Sequence, residues 1–212
     1  MMYDDIANNP ENPLPGDIRS VVDQTNVYKS VPHDYTGDKV NAKTFLAVLQ
    51  GDDTAEKKII RSEENDNIFI YMSGVGSEGK FDFPEESLTA TDLIKTINIM
   101  NAGKKYSKMV IYMDSDFSAS MFTSLSGLIN VYAVASCDSS NPNIPYPYDS
   151  ERSTCLSDEF SAAWLKFVSA ADDRTATFKK QYDYIKKKDK SKPCEFGDKK
   201  FENLLISEFL NK

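Results

Sequence analysis

Three short apolar runs limit what this chain can fold into. They read IFIYMS at 68–73, MVIYMD at 109–114 and VYAVAS at 131–136, and each is rich in β-branched and aromatic residues. A near-continuously apolar run of this length indicates a strand covered on both faces, which is typical of parallel sheets. The sequence therefore predicts a buried sheet with helices on its faces.

Segments with helical periodicity alternate with these runs. The helical pattern in residues 40–52 ends at Gly51. Residues 87–103 begin with serine and threonine and stop at Gly103, and both are usual helix signals. Further helices are predicted at 156–170 and 174–188, and residues 137–155, rich in Pro, Asn and Ser, predict a long surface loop. The order strand, helix, strand, helix predicts an α/β protein with a mostly parallel sheet.

Composition narrows the classes of partner. The 212 residues are 40% hydrophobic, enough for one core, so a single domain over 1–212 is expected. The net charge of -8 repels nucleic acid and anionic membranes, and no apolar run reaches the roughly 20 residues of a membrane span. We therefore expect neither nucleic acid nor membrane as a partner. The opening MMYDDIANNP also lacks the basic and apolar segments of a signal peptide.

Cysteine and histidine are scarce. Cys137, Cys155 and Cys194 are odd in number and show no CxxC spacing, so neither a disulfide framework nor a zinc site is predicted. The single histidine, His33, lies among turn residues, where a solvated imidazole is expected. The chain is thus short of the commonest general base, and no cofactor is predicted.

A glycine motif follows the first apolar run. Residues 74–79, GVGSEG, match the GxGxxG pattern of dinucleotide sites, which also requires a helix beginning at the last glycine. The following residues, KFDFPEES, instead alternate Phe with polar residues and then reach a proline. This pattern favours a glycine turn and hairpin over a nucleotide site.

The three runs end in segments that parallel strands bring to one edge of a sheet. These segments are Gly74-Val75-Gly76, Asp114-Ser115-Asp116 and Cys137-Asp138. The carboxyl edge of an α/β sheet is where functional loops usually lie. We therefore expect the candidate site at this edge.

Several blocks carry a family resemblance. MMYDDIANNPENPLPG, VPHDYTG, IFIYMSGVGSEG, MVIYMDSDFSASMF, NVYAVASC and SERSTCLSDEFSAAW follow in the order and spacing of the legumain (asparaginyl endopeptidase) family of cysteine peptidases. The chain resembles that family over nearly its whole length. The resemblance implies a caspase-like three-layer α/β sandwich and a lysosomal, vacuolar or secreted location.

The resemblance also points to lost catalytic residues. Family members end the first run in a Thr-Asp-His-Gly or Ser-Gly-His-Gly motif with the general base, and the second in Glu-Ala-Cys-Glu-Ser-Gly-Ser with the nucleophile. Val75 and Asp116 stand at those two positions here. Valine cannot transfer a proton, and a carboxylate attacks an amide far less readily than a thiolate. The resemblance therefore implies an inactive peptidase homologue that acts by binding protein or peptide.

The family's asparagine pocket is partly matched. By position, Asp114 is a shortened counterpart of a pocket Glu, Asp158 matches a pocket Asp, and Asn143 lies near a loop Ser. A pocket Arg would come from chain upstream of Met1. Asp158 is equally explained as a carboxylate at a helix N-terminus. These remnants leave an active asparaginyl endopeptidase or transpeptidase with an altered mechanism as the alternative.

Relative to the family, the resemblance implies an N-terminally truncated domain. The family's first strand, with its helix, and the C-terminal prodomain have no counterpart here. A missing central strand is expected to leave unpaired strand edges. A third hypothesis is therefore that the chain forms no cooperative fold.

Overall fold

The computed structural model describes residues 1–54, 58–125, 127–128 and 130–210. In chain order its helices and strands are α1 (Ala42–Gln50), β1 (Asn67–Ser73), β2 (Val75–Ser77), β3 (Lys80–Asp82), β4 (Ser87–Thr89), α2 (Ala90–Ala102), β5 (Lys108–Asp114), β6 (Val131–Ala135), β7 (Tyr148–Asp149), β8 (Thr154–Cys155), α3 (Glu159–Ala170), α4 (Phe178–Lys188) and β9 (Cys194–Gly197). In this described part, no helix is both long and apolar enough to cross a bilayer.

A four-stranded sheet in the order β1, β5, β6, β9 forms the centre of the fold. The first three strands are parallel, with Ile70 opposite Ile111 and Ile111 opposite Ala133. This confirms the prediction of a mostly parallel sheet. The fourth strand, β9, runs antiparallel to β6 and was not predicted from the sequence.

The strands differ in how fully they are covered. Every residue of β6, and every residue of β5 except the first, is buried, as predicted for strands covered on both faces. Among the described strands β1 lies at the edge of this sheet, and its burial alternates. Ile70 is buried on one face, whereas Tyr71 on the other is half-buried beneath Trp164, with ring centroids 4.5 Å apart.

Two apolar clusters sandwich the sheet. On one face Leu49 of α1 and Leu93, Ile97 and Met100 of α2 pack against Ile111. The opposite face packs on α3 and α4 through a second cluster, whose main members are Val110, Tyr112, Val134, Phe160, Phe178, Tyr182 and Ile185. Each fully buried apolar side chain contributes about 1.5–3 kcal/mol of transfer free energy. The result is three layers, helices on sheet on helices.

The first two helices end just before the predicted glycines, but α1 begins at 42 and α2 begins at 90, because residues 87–89 form β4. The Asn41 side chain accepts from the Thr44 N–H at the start of α1, and Gly51 ends it with φ 69°. The Thr89 side chain likewise accepts from the Asp92 N–H at the start of α2. The N-cap and the glycine C-cap supply the hydrogen bonds that a helix end lacks.

The last two helices begin later than predicted. Instead of starting at 156, α3 begins at 159, because Asp158 is its N-cap and accepts from the Ser161 N–H. Instead of starting at 174, α4 begins at 178, because Thr177 caps it. Asp172 holds the preceding residues in a separate turn by accepting from the Arg174 N–H.

The glycine motif leads into a hairpin, as predicted. Strands β2 and β3 pair antiparallel around a turn in which Gly79 has φ 71°, and β4 adds a third strand. The loop prediction for 137–155 was incomplete, because β7 and β8 form a short antiparallel pair inside it. Backbone pairing of two residues per strand leaves little sequence pattern to find.

Candidate functional site

The ends of the parallel strands meet at one edge of the sheet. The Gly74 N–H donates to the Asp114 carbonyl oxygen at 3.0 Å, and the Ser136 N–H donates to that of Met113, also at 3.0 Å. Gly76 approaches Asp116 so closely that an added Cβ would lie 2.5 Å from the Asp116 carbonyl oxygen. The expected grouping of the three strand ends is therefore confirmed.

Val75 and Asp116 lie at the ends of adjacent strands. Val75 is the first residue of β2, and its side chain is 66% exposed. Asp116 is half-buried, and its Oδ1 accepts from the Asn143 N–H at 2.7 Å. Phe117 then turns the chain with φ 54° into a short 3-10 helix at Ser118–Met121. The two strand ends therefore carry an exposed apolar side chain and a carboxylate that already accepts a hydrogen bond.

Asp114 is a buried carboxyl group at the end of β5. It is 1% exposed, its Oδ1 accepts from the Asn143 Nδ2 at 2.6 Å, and its Oδ2 accepts from the Ser161 hydroxyl and, at 3.4 Å, from the Tyr71 hydroxyl. Burial raises the pKa of Asp114 well above its usual range, and the negative charge of Asp158 raises it further. Asp114 is thus a buried carboxyl group that accepts hydrogen bonds from three side chains of this chain.

Asp158 caps a helix and also lies beside the candidate pocket, the two positions that the sequence left open. Its Oδ1 accepts from the Ser161 N–H at 2.8 Å as the N-cap of α3. Its Oδ2 lies 3.5 Å from the Asn143 Nδ2, which also donates to Asp114. The other end of that carboxamide, Oδ1, accepts from the Ser136 hydroxyl at 2.7 Å. Asp114, Ser136 and Asp158, which we call the carboxamide site, therefore surround the side chain of Asn143.

Asp189 is an acidic group near this site that the sequence did not indicate. It is 4% exposed at the end of α4, where its Oδ1 accepts from the Ser191 N–H at 2.7 Å. Its Oδ2 has no hydrogen-bond partner among the described residues. Burial, with the charges of Asp158 and Glu159, raises the pKa of Asp189 to about 6.

The nearby side chains of Ser118, Ser136 and Cys137 contact one another in the interior. Ser118 and Ser136 are buried and lie 3.1 Å apart, Oγ to Oγ, and the Cys137 Sγ lies 3.5 Å from the Ser118 Oγ. Burial raises the pKa of the Cys137 thiol, which disfavours the thiolate. Cys155 and Cys194 are half-buried free thiols.

His33 does not match its expected solvated state. It is partly buried, with its Nδ1 3.7 Å from the Asp4 Oδ2 and its ring centroid 5.1 Å from that of Tyr28. The residues around VPHDYTG pack against the N-terminal block, and a turn composition does not reveal such a long-range contact. His33 therefore contacts Asp4 of the N-terminal block and the ring of Tyr28.

A mostly parallel sheet between two helical layers, with polar side chains grouped at its carboxyl edge, defines an α/β protein of the kind that carries its site on strand-end loops. The chain belongs to the Peptidase C13 family, whose family model matches residues 1–212. The three layers agree with the caspase-like fold expected for that family.

Curated relatives are similar over the whole chain. It is 40% identical to legumain of Rattus norvegicus, over 99% of this chain and 49% of the relative, and 38% identical to legumain of Homo sapiens, over 99% and 50%. It is 36% identical to the vacuolar-processing enzyme delta-isozyme of Arabidopsis thaliana, over 100% and 49%. The chain thus spans about half the length of these relatives.

Proposed function

We propose that this chain is a catalytically inactive legumain-type homologue that acts by binding protein or peptide. The observation that carries the proposal is the pairing of Val75 and Asp116 at adjacent strand ends, where the family resemblance expects the histidine base and the cysteine nucleophile. We further propose a single domain over 1–212 that needs no cofactor. From its resemblance to the legumain family, we propose a lysosomal, vacuolar or secreted location.

The chemistry of amide hydrolysis supports inactivity. The base must take a proton from the nucleophile and later give it to the leaving amine, and valine has no group for either step. The Asp116 carboxylate is a weak nucleophile, and it already accepts a hydrogen bond from the Asn143 N–H. The buried Cys137 thiol is held in its protonated form. No imidazole contacts either residue among the described contacts of the strand ends.

The residues around Val75 and Asp116 support a binding role. Asp114 and Asp158, the proposed pocket remnants, stay close enough to share one donor, the Asn143 Nδ2. The net charge of -8 disfavours nucleic acid and anionic membranes. A protein or peptide that presents hydrogen-bond donors fits this site best.

An active peptidase or transpeptidase with an altered mechanism is the second candidate. The observation that favours it is Asp114, a buried carboxyl with a raised pKa beside a second carboxyl, which is an arrangement typical of general acids. Such a group supplies a proton but no thiolate. It therefore predicts slow cleavage that depends on Asp114.

A cleavage assay separates the two candidates. The purified chain is incubated with a fluorogenic peptide that contains asparagine, between pH 4 and pH 7, beside its Asp116→Ala and Asp114→Asn variants. We expect the three proteins to release no more fluorophore than buffer does. Cleavage that either substitution abolishes contradicts inactivity, and loss with Asp114→Asn supports the altered mechanism.

A further inference from the structure

One segment of this acidic chain is strongly basic. Residues 178–200 hold nine of the 25 lysine and arginine residues, all of them lysines, against four acidic residues, although the net charge of the whole chain is -8. All nine lysine side chains are exposed. Positive charge is therefore concentrated on one part of a surface that is negative elsewhere.

Helix α4 and the 3-10 helix that follows β9 form this basic surface together. The inner side of α4 is buried, so its lysines face solvent. The 3-10 helix at Lys199–Asn203 packs beside α4, where the Phe178 N–H donates to the Leu204 carbonyl oxygen at 3.1 Å. We call the resulting surface the basic face, and its members are Lys179, Lys180, Lys186, Lys187, Lys188, Lys199 and Lys200.

Carboxylates neutralise only part of the basic face. Asp183 pairs with Lys179, and Glu195 pairs with Lys199. In the part of the chain that the structure describes, the lysines at 186–188 form no ion pair with a carboxylate. Three neighbouring ammonium groups are thus left available to an external anion.

Two of these three ammonium groups rest on aromatic rings. The Lys186 Nζ lies 5.6 Å from the ring centroid of Tyr182, and the Lys188 Nζ lies 6.0 Å from that of Tyr184. The face of an aromatic ring attracts a cation, but it cancels none of the charge and leaves ammonium hydrogens free to donate. These contacts hold positive charge at the surface without neutralising it.

The stability of α4 explains only some of its lysines. Lys186, Lys187 and Lys188 lie in the last turn, where the helix dipole favours cations. Lys179 and Lys180 lie in the first turn, where the dipole disfavours cations and where α4 has no acidic residue. Lysines at both ends of the helix are explained better by an anionic partner than by the helix itself.

We propose that the basic face binds an acidic segment of another protein, one in which Asp and Glu residues follow closely along the chain. The 11 residues of α4 span about 16 Å, which equals the length of about five residues of extended chain. A short acidic segment can therefore pair with lysines along the whole helix at once. This surface lies on the outer side of α4, away from Val75 and Asp116, so the inference goes beyond the proposed function.

The acidic remainder of the molecule limits the size of the partner. At about 0.15 M salt, exposed charges interact over about 8 Å. A short acidic segment stays within that distance of the lysines. A DNA duplex or an anionic bilayer extends beyond the basic face and meets the excess of Asp and Glu elsewhere on the chain. The charge distribution therefore favours a short acidic polypeptide over either of these larger polyanions.

The first test measures binding of a labelled hexaglutamate peptide by fluorescence anisotropy. We expect Lys186→Gln/Lys187→Gln/Lys188→Gln to bind it about tenfold more weakly than the unsubstituted chain, because each exposed ion pair contributes about twofold to threefold. Hexaglutamine should not bind. Affinity should fall between about 0.01 M and about 0.15 M salt, as the Debye length shortens from about 30 Å to about 8 Å. Binding that salt does not weaken overturns the proposal.

The matched control removes the same charge from another part of the surface. Lys80→Gln/Lys104→Gln/Lys105→Gln substitutes three exposed lysines outside the basic face. We expect this variant to bind hexaglutamate within about twofold of the unsubstituted chain. Equal losses in the two triple variants overturn the basic face, because net charge alone would then explain the binding.

The second test predicts a gain of affinity. Asp183 lies among the lysines of α4 and pairs with Lys179, so Asp183→Asn is expected to strengthen hexaglutamate binding about twofold to threefold. Lys179→Gln/Lys180→Gln is expected to weaken it about fivefold, and this variant takes the place of the triple variant if that one does not fold. Unchanged affinity in both variants overturns the proposal.

A competition experiment tests the class of partner. A DNA duplex, and vesicles of phosphatidylserine and phosphatidylcholine, are added to the complex with labelled hexaglutamate at the same concentration of negative charge as unlabelled hexaglutamate. We expect unlabelled hexaglutamate to displace the labelled peptide more completely than either competitor. Stronger displacement by the duplex or by the vesicles overturns the assignment to an acidic protein segment.

Discussion

Replacing Gly76 by alanine is expected to lower the free energy of unfolding by about 3 kcal/mol or more. An added Cβ would lie 2.5 Å from the Asp116 carbonyl oxygen and 2.9 Å from the Ser115 Oγ. The first of these is a backbone atom that cannot rotate away, so one of the two strand ends must shift. Urea unfolding of the variant and of the unsubstituted chain measures the loss.

Gly79→Ala in the same hairpin is the matched control. Nothing lies within 4 Å of its added Cβ, and only its φ of 71° opposes a side chain, at a cost of about 1 kcal/mol. Equal losses for the two variants would contradict the close contact between the strand ends. A single sharp transition in the unsubstituted chain would also contradict the hypothesis that no cooperative fold forms.

The second large effect is a pH dependence of the unfolding free energy that arises from Asp189. Its pKa is about 6 in the folded chain, against 3.8 for an unperturbed aspartate. A raised folded-state pKa means that the folded chain binds the proton more tightly, so stability is fully present below pH 3.8 and is lost as pH rises through about 6. The two values predict a loss of about 3 kcal/mol from this group by pH 7.

Asp189→Asn isolates this contribution. The amide keeps an oxygen for the Ser191 N–H and never ionises, so we expect the variant to match the unsubstituted chain at pH 4 and to exceed its unfolding free energy by about 3 kcal/mol at pH 7. Asp183→Asn, an exposed site on the same helix, is the control and should change stability by less than about 0.5 kcal/mol. A difference that does not vary with pH would contradict the raised pKa of Asp189.

The sequence predicts the sheet well because burial leaves a direct mark on composition. The runs at 109–114 and 131–136 are apolar throughout, as strands with two covered faces must be. By contrast β9 has four residues, all half-buried, and its place beside β6 depends on a pairing some sixty residues away in sequence. Such a strand has no local pattern.

Sequence reasoning can point to residues of the candidate site, but it cannot predict the hydrogen bonds between them. The family resemblance pointed to Asp114, Asn143 and Asp158, but the bond from the Asn143 carboxamide to Asp114 depends on the path of a loop with no periodicity. Ser136 and Ser161 were missed because each joins the site only through strand register or helix capping. These contacts are long-range, and a single sequence does not encode them in its spacing.

The central claim is that the site holds no nucleophile able to attack an amide. It is tested most directly by the intact mass of the chain after exposure to an electrophilic asparagine peptide between pH 4 and pH 7. A matched glutamine probe corrects for nonspecific reaction at the half-buried thiols of Cys155 and Cys194. The account predicts no asparagine-dependent mass gain, under conditions in which an active legumain is labelled. An asparagine-dependent adduct that maps to Asp116 or Cys137 would contradict it.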